Sequence, residues 1–451
     1  MSAKYLPGGK KANEGINFVP GTDEKGFLIM KVESGNYGKK VSQSIRKVVK
    51  YLADDGHNLI LDESKKYYTS IISDKNAEKK GAGYFVKDNF WTQKFSTAAS
   101  SKFLDDFQPS QNAFVIELLE KKKKKLVGKV VLDEFACGGT GLHAATGPIF
   151  NPYNPSCIVG GSSSDSIRRP AAYCGIVGFK PSYGLISRSG VISMASSLDT
   201  VGILAREVQV IKSVFSIISQ PDLHDLLTVA KRKKILSRPK NKIAVVAGIE
   251  KYLSSELNNL YHKTIKKLEK AGYPIEKITI PKNIREHLQI TYLILCSSEL
   301  ISHLNSLQGI TYGPHENIAI THKRSKYLGE IVKQRLLIGS YFLENQELFV
   351  KAQKMRYLVD KWVKKILQNY DFLVFPSTNS TAPPAANFNH SFAGLISSHW
   401  SDNLLLLANF AGLPSLSLPI GFVNDLPVSI NINSSYGNDK KVLALAEELE
   451  K

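Results

Sequence analysis

Three short segments carry residues that could act on a chemical bond. Lys87 ends the apolar run Tyr84-Phe85-Val86 and is followed by Asp88 and Asn89. A buried ammonium is costly unless it is paired or gives up its proton, and a lysine that has lost its proton can serve as a base. The second segment is Gly160-Gly161-Ser162-Ser163-Ser164. Glycines there permit a tight turn and a close backbone approach, and small hydroxyls can hydrogen-bond or attack. The third, Asp165-Ser166-Ile167-Arg168-Arg169-Pro170, follows without a break. A serine becomes a nucleophile near neutral pH only with an activating base. One lysine and two serines supply one: a neutral lysine takes a proton from a bridging serine, which takes one from the nucleophile.

Other chemistries lack their residues. The cysteines Cys137, Cys157, Cys174 and Cys296 form no CxxC pair and have no histidine at zinc-ligand spacing, so they read as reduced and structural, with no metal site. Gly35-x-x-Gly38-Lys39-Lys40 is not a GxxxxGK[ST] loop, so the sequence offers no phosphate cradle of that kind. No apolar run reaches the length of a membrane span, and the first residues lack the apolar middle of a secretory signal. A soluble, cytoplasmic protein is the expectation. The net charge of +19 comes mainly from lysine, in runs such as Lys121–Lys125. Specific phosphate and base readers favour arginine for its planar fork, so this charge reads first as a solvated surface.

The elements that position these residues follow an α/β pattern. Residues 1–65 stand apart, with a strand expected over Phe27–Val32, a helix over Lys40–Leu52 and a short strand over Asn58–Leu61. Residues 66–451 alternate short apolar strands with amphipathic helices. Strands are expected at Phe85-Val86, Leu126–Leu132, Ile176–Phe179, Lys242–Val246 and Phe372–Phe375. Helices are expected at Val208–Ile218, Glu256–Ala271, Ile331–Phe342 and Phe349–Gln368. Within this domain, 233–370 reads as helix-rich and 371–451 as a return to the sheet.

The motifs VKDN, GGSSS, DSIRRPAAYCGIVGFKPSYG and ASSLDTVG stand in the order found in amidase-signature enzymes, and the resemblance runs from about Gly83 to the C-terminus. It implies that family's fold, a mixed β-sheet flanked by helices on both faces. It also implies Lys87 as the base, Ser162 as the bridging serine and Ser166 as the nucleophile. GKVVLDEFACGGTG, SSELISHLNSLQGITYG, KAQKMRYLVDKW, YDFLVFPSTNSTAPP and NLLLLANFAGLPSLSLPIGF resemble the tRNA-dependent amidotransferase branch. That branch implies glutamine as substrate, bound by Tyr312, Arg356 and Asp402. An arginine can grip an α-carboxylate through two N–H groups, and an aspartate can pair with an α-ammonium. It further implies the amidotransferase's B- and C-subunits as partners, and no cofactor in this chain. The partner uses ATP and Mg to convert Glu-tRNA(Gln) to Gln-tRNA(Gln) with the released ammonia. Residues 1–65 show a separate, looser resemblance to a segment of chloramphenicol phosphotransferase-like kinases.

One feature departs from the family pattern. Ser162 and Ser166 are four residues apart, where the family separates its two serines by roughly two dozen, enough for one helix and one strand. The expected fold therefore lacks one helix and one central strand, and the junction lies between Ser164 and Asp165. Two alternatives stay open: a stand-alone amidase acting on another small amide, and a non-catalytic remnant that serves as a scaffold.

Overall fold

The computed structural model describes residues 83–161, 165–229, 241–307, 313–314, 316, 319–388 and 400–451, together with the backbone of four short strands before residue 83. The expected helix over Lys40–Leu52, and the residues Ser162 and Tyr312, lie outside the described residues.

Seven strands make the main sheet. They are β7 (Val177–Lys180), β8 (Ile203–Ala205), β9 (Ile243–Val246), β10 (Ile275–Ile278), β11 (Phe372–Pro376), β12 (Ser415–Val423) and β13 (Leu426–Ser434). Their order is β10-β9-β11-β13-β12-β7-β8. The pairs β10–β9 and β9–β11 are parallel, and the pairs from β11 to β8 are antiparallel, so the sheet is mixed. Strands β7, β9 and β11 are buried along their whole length. Their sequences VGFK, IAVV and FLVFP are correspondingly near-continuous apolar runs, as a strand covered on both faces requires.

Strand β13 shows the period of two. Ile430 and Ile432 point to the apolar core, while Ser429, Asn431 and Asn433 are buried on the other face. The asparagine amides donate there: Asn431 Nδ2 to the Leu416 carbonyl at 3.2 Å and Asn433 Nδ2 to that of Leu373 at 3.0 Å. This polar face is the floor on which part of the site rests.

A second sheet holds β3 (Ile60–Asp62), β4 (Tyr67–Tyr68), β5 (Gly83–Lys87) and β6 (Lys125–Val130) in the order β3-β4-β6-β5, and β1 (Phe18–Thr22) pairs with β2 (Leu28–Val32) apart from it. Eight helices of the described residues matter below or cover the sheets. They are α1 (Phe114–Lys121), α2 (Arg168–Tyr173), α3 (Val208–Ile218), α4 (Ser255–Lys270), α5 (Lys282–Leu304), α6 (Glu330–Glu344), α7 (Gln346–Asn369) and α8 (Asp439–Glu450). Among the described residues between Gly161 and Val177, α2 is the only regular element. No helix of the described residues is long and apolar enough to cross a membrane.

Candidate active site

Lys87 is placed by the end of β5. That strand runs parallel to β6, with Lys87 beside Val130 and Val86 beside Lys129. Asp88 then leaves the sheet and is locked: its carboxylate accepts from Ser100 N at 2.9 Å and pairs with the buried Lys129 Nζ at 3.2 Å. Lys129 also donates to Thr97 Oγ1 at 2.7 Å and to the Ser96 carbonyl at 2.9 Å. Burial pushes the Lys129 amine down to about 8 against the pull of Asp88. Since successive side chains alternate across a strand, Lys87 lies on the face of β5 opposite Val86.

The Lys87 residue keeps some exposed surface, but its amine is set deep among protein atoms. Burial lowers its pKa below the ordinary lysine value, while the charges of Asp133, Asp199 and Asp165 pull it back up. Each of these carboxylates is committed elsewhere. Asp133 accepts from Gly141 N and His143 N, both at 3.0 Å. Asp199 accepts from Ser193 Oγ at 2.6 Å, Met194 N at 2.8 Å and Ala195 N at 3.1 Å. Asp165 accepts from Ile167 N at 2.9 Å, from Arg168 N, and from the Arg168 guanidinium. The lysine thus feels three negative charges whose lone pairs are largely occupied.

Both ends of the GGSSS–DS junction meet this lysine environment. A Cβ on Gly161 would lie 2.4 Å from Asp133 Oδ2 and 2.9 Å from the Gly139 carbonyl carbon, so only glycine lets the chain pass this close. Gly160 has φ +78°, the left-handed region. On the far side, Asp165 is buried and Ser166 half-buried immediately before α2. The structure therefore brings Gly161 and Asp165, the residues flanking Ser162–Ser164, to the carboxylates around Lys87.

Helix α2 is anchored by Arg168, which is 0% exposed. Its Nε donates to Asp165 Oδ2 at 2.6 Å, and one terminal nitrogen donates to Ser415 Oγ at 2.6 Å. The other donates to the Leu405 carbonyl at 3.0 Å and to Asn409 Oδ1 at 2.7 Å. Ser415 in turn donates to Asn431 Oδ1 at 3.1 Å on the polar face of β13. Burial alone would raise the Asp165 carboxyl, but Arg168 and two backbone donors outweigh it and hold its pKa low. The next residue, Arg169, donates to the Asp402 carbonyl at 2.5 Å, so Asp402 sits against the same short helix.

Arg356, on α7, reaches the segment Ser193–Asp199. Its two terminal nitrogens donate to Ser197 Oγ at 2.7 Å and to the Ser197 carbonyl at 2.8 Å. Tyr183 Oη and Arg188 clamp the same segment by donating to the Ser196 carbonyl at 2.6 and 2.5 Å. The sequence reading assigned no role to Asp133, Asp199 or Asp165 around the lysine, nor to Ser197 against Arg356. The motifs LDEF, ASSLD and DSIRRP contain them, but their partners are far along the chain.

The Amidase family profile matches this chain over residues 80–165 and 164–443. The two matched stretches meet at Ser164–Asp165, the junction where the sequence departs from the family pattern. The glutamyl-tRNA(Gln) amidotransferase A-subunit of Pseudothermotoga lettingae is 31% identical over 430 residues, which cover 87% of this chain and 91% of that protein. The protein of that name from Mycoplasma pneumoniae is 33% identical over 410 residues, covering 81% and 85%. The crystal structure of the glutamyl-tRNA(Gln) amidotransferase A-subunit from Thermotoga maritima superposes with a TM-score of 0.69 at 26% identity, over 92% of this chain and 91% of that one. Coverage of 92% takes in part of residues 1–65, so the looser likeness of that region to phosphotransferases gains no support.

Proposed function

The chain belongs to the amidase family, and on that premise we propose that it is the glutaminase (A-type) subunit of a tRNA-dependent amidotransferase. The observation that carries the proposal is the Lys87 amine, its pKa lowered by burial and opposed by the charges of Asp133, against which Gly161 packs, and of Asp165, so that the carboxylates at both ends of the Gly161–Asp165 junction act on it. A lysine held partly neutral is suited to start the relay. Lys87 takes a proton from Ser162, Ser162 takes one from Ser166, and Ser166 Oγ attacks the side-chain amide carbon of glutamine. The C–N bond then breaks, ammonia leaves with a returned proton, and water hydrolyses the glutamyl ester to glutamate. In this reading Arg356 holds the substrate α-carboxylate, Asp402 its α-ammonium, and Tyr312 closes the pocket.

The chain needs no cofactor for these steps. Ammonia passes to the B-subunit, which works with the C-subunit in the cytoplasm. The former uses ATP and Mg to activate the glutamate of Glu-tRNA(Gln) and form Gln-tRNA(Gln). Relatives carrying the amidotransferase name at 31% and 33% identity support this assignment over a stand-alone amidase. The deciding experiment measures ammonia released from glutamine by the chain purified with its partner subunits. Ser166→Ala is expected to cut the rate by about 10³ or more. Equal ammonia from the variant and the parent would overturn the assignment of Ser166.

A further inference from the structure

The segment Ser193–Asp199 holds the contact to Arg356 and carries one of the charges acting on Lys87. At one end, Asp199 binds the start of its own loop through Met194 N and Ala195 N, and its charge acts on the Lys87 amine. At the other end, Ser197 meets Arg356. A third group completes this second contact. Glu299 on α5 accepts from Ser197 N at 2.9 Å and from Ser197 Oγ at 2.5 Å, one bond to each carboxylate oxygen.

The direction of these bonds is fixed by chemistry. A serine hydroxyl has one proton to give and two lone pairs. A carboxylate only accepts, so the Ser197 proton goes to Glu299, and the Ser197 lone pairs are left for the guanidinium of Arg356. The negative charge of Glu299 therefore reaches Arg356 through a hydroxyl. Arg356 is oriented by this contact, while N–H groups on its two terminal nitrogens stay available for a carboxylate, since each carries two.

We propose that Glu299, acting through Ser197, is the positioning residue that aims Arg356 at the α-carboxylate of glutamine. The proposal rests on the reading of Arg356 as the carboxylate-binding group. Glutamine presents its α-carboxylate and its reacting amide at opposite ends of a short chain. The tie from Glu299 through Ser197 to Arg356 acts on the carboxylate end alone. Loss of the tie should weaken binding of the carboxylate end and leave the reacting end in place.

The test uses the chain complexed with its partner subunits, with two readouts: glutamine binding by calorimetry and the steady-state split between KM and kcat. Butyramide, which lacks the carboxylate and ammonium, serves as a second substrate. Glu299→Ala is expected to raise the Kd and KM for glutamine about tenfold, the scale of one lost charge-assisted hydrogen bond, with kcat changed less than about threefold and butyramide turnover unaltered. Ser197→Ala is expected to act in the same direction. If Arg356→Ala raises KM while Glu299→Ala does not, the positioning role fails and the carboxylate reading survives. If Arg356→Ala leaves glutamine binding untouched, the carboxylate reading itself fails and takes the proposal with it. Glu299→Gln keeps the shape but removes the charge and the fixed acceptor. It is expected to melt like the parent and still weaken glutamine binding. A Gln variant with parental KM, or Glu299 variants that lose butyramide turnover and glutamine turnover together, would show a merely structural residue.

Discussion

Arg168 and Lys87 are cations set inside the same site and handled in opposite ways. Arg168 is given a full set of acceptors: Asp165, Ser415 Oγ, the Leu405 carbonyl and Asn409 Oδ1. Its planar fork suits several fixed acceptors at once. Lys87 is acted on by the charges of three carboxylates that are spent on backbone amides, a serine and Arg168. The arginine's charge is thereby tied down, and its region becomes a rigid post joining α2 to β12. The lysine's charge is left adjustable, because burial works to remove its proton while the distant carboxylates limit how far its pKa falls. Asp165 belongs to both regions, since it pairs with Arg168 and also acts on Lys87.

Substitution of each cation by methionine separates the two uses. Lys87→Met is expected to reduce glutamine-dependent ammonia release by about 10³ or more, because the relay loses its base. Its stability should hold or rise, since a desolvated cation is replaced by an apolar group of similar length. Arg168→Met is expected to cost about 3–5 kcal/mol, as it leaves Asp165 charged and buried without its partner. Denaturant midpoints and ammonia assays on the same two proteins check both. The comparison breaks if Lys87→Met destabilises as much as Arg168→Met, for then the lysine too is a structural post.

The sequence revealed the site and the sheet unevenly, for physical reasons. Strands β9 and β11 were legible because IAVV and FLVFP are continuous apolar runs. Helix α7 was legible because its buried positions Ala352, Val359, Val363 and Leu367 fall on one stripe. Helix α5 was not expected as an element, although it is 23 residues long. Eight consecutive residues, Thr291–Ser298, are buried in it, so no polar face marks the helical period. The β12–β13 hairpin was also missed, and its turn does carry a signal. Asn424 and Asp425 both have positive φ, 48° and 62°, the conformation of a tight two-residue hairpin that Asn and Asp tolerate. Lys87 and Ser166 were assigned from ordered motifs. Asp133 and Asp199 were invisible as modulators of the lysine, because an electrostatic partner leaves no spacing signature in a chain. Arg356 was assigned to substrate alone, while its contact with Ser197 spans 159 positions.

The pH response sharpens the same contrast at the smallest scale. The proposed relay requires Lys87 neutral, so the rate should rise with pH and level off above the lysine's pKa, which lies below the ordinary 10.5. Burial sets that direction, and Asp199 is one of the charges opposing it. Removing the charge with Asp199→Asn takes away an upward pull, so the inflection should move to lower pH. Stability carries the matching sign. Between the folded pKa of Lys87 and about 10.5 the unfolded chain binds the extra proton, so folding becomes more favourable as pH rises through that window. Asp199→Asn should start this rise at lower pH, and Lys87→Met should remove this residue's contribution to it. Rate–pH profiles and denaturant midpoints across that range measure both. An inflection that stays fixed or moves upward in Asp199→Asn would mean that Asp199 serves only to fold its loop. The adjustable charge on Lys87 would then be governed by burial with Asp133 and Asp165 alone.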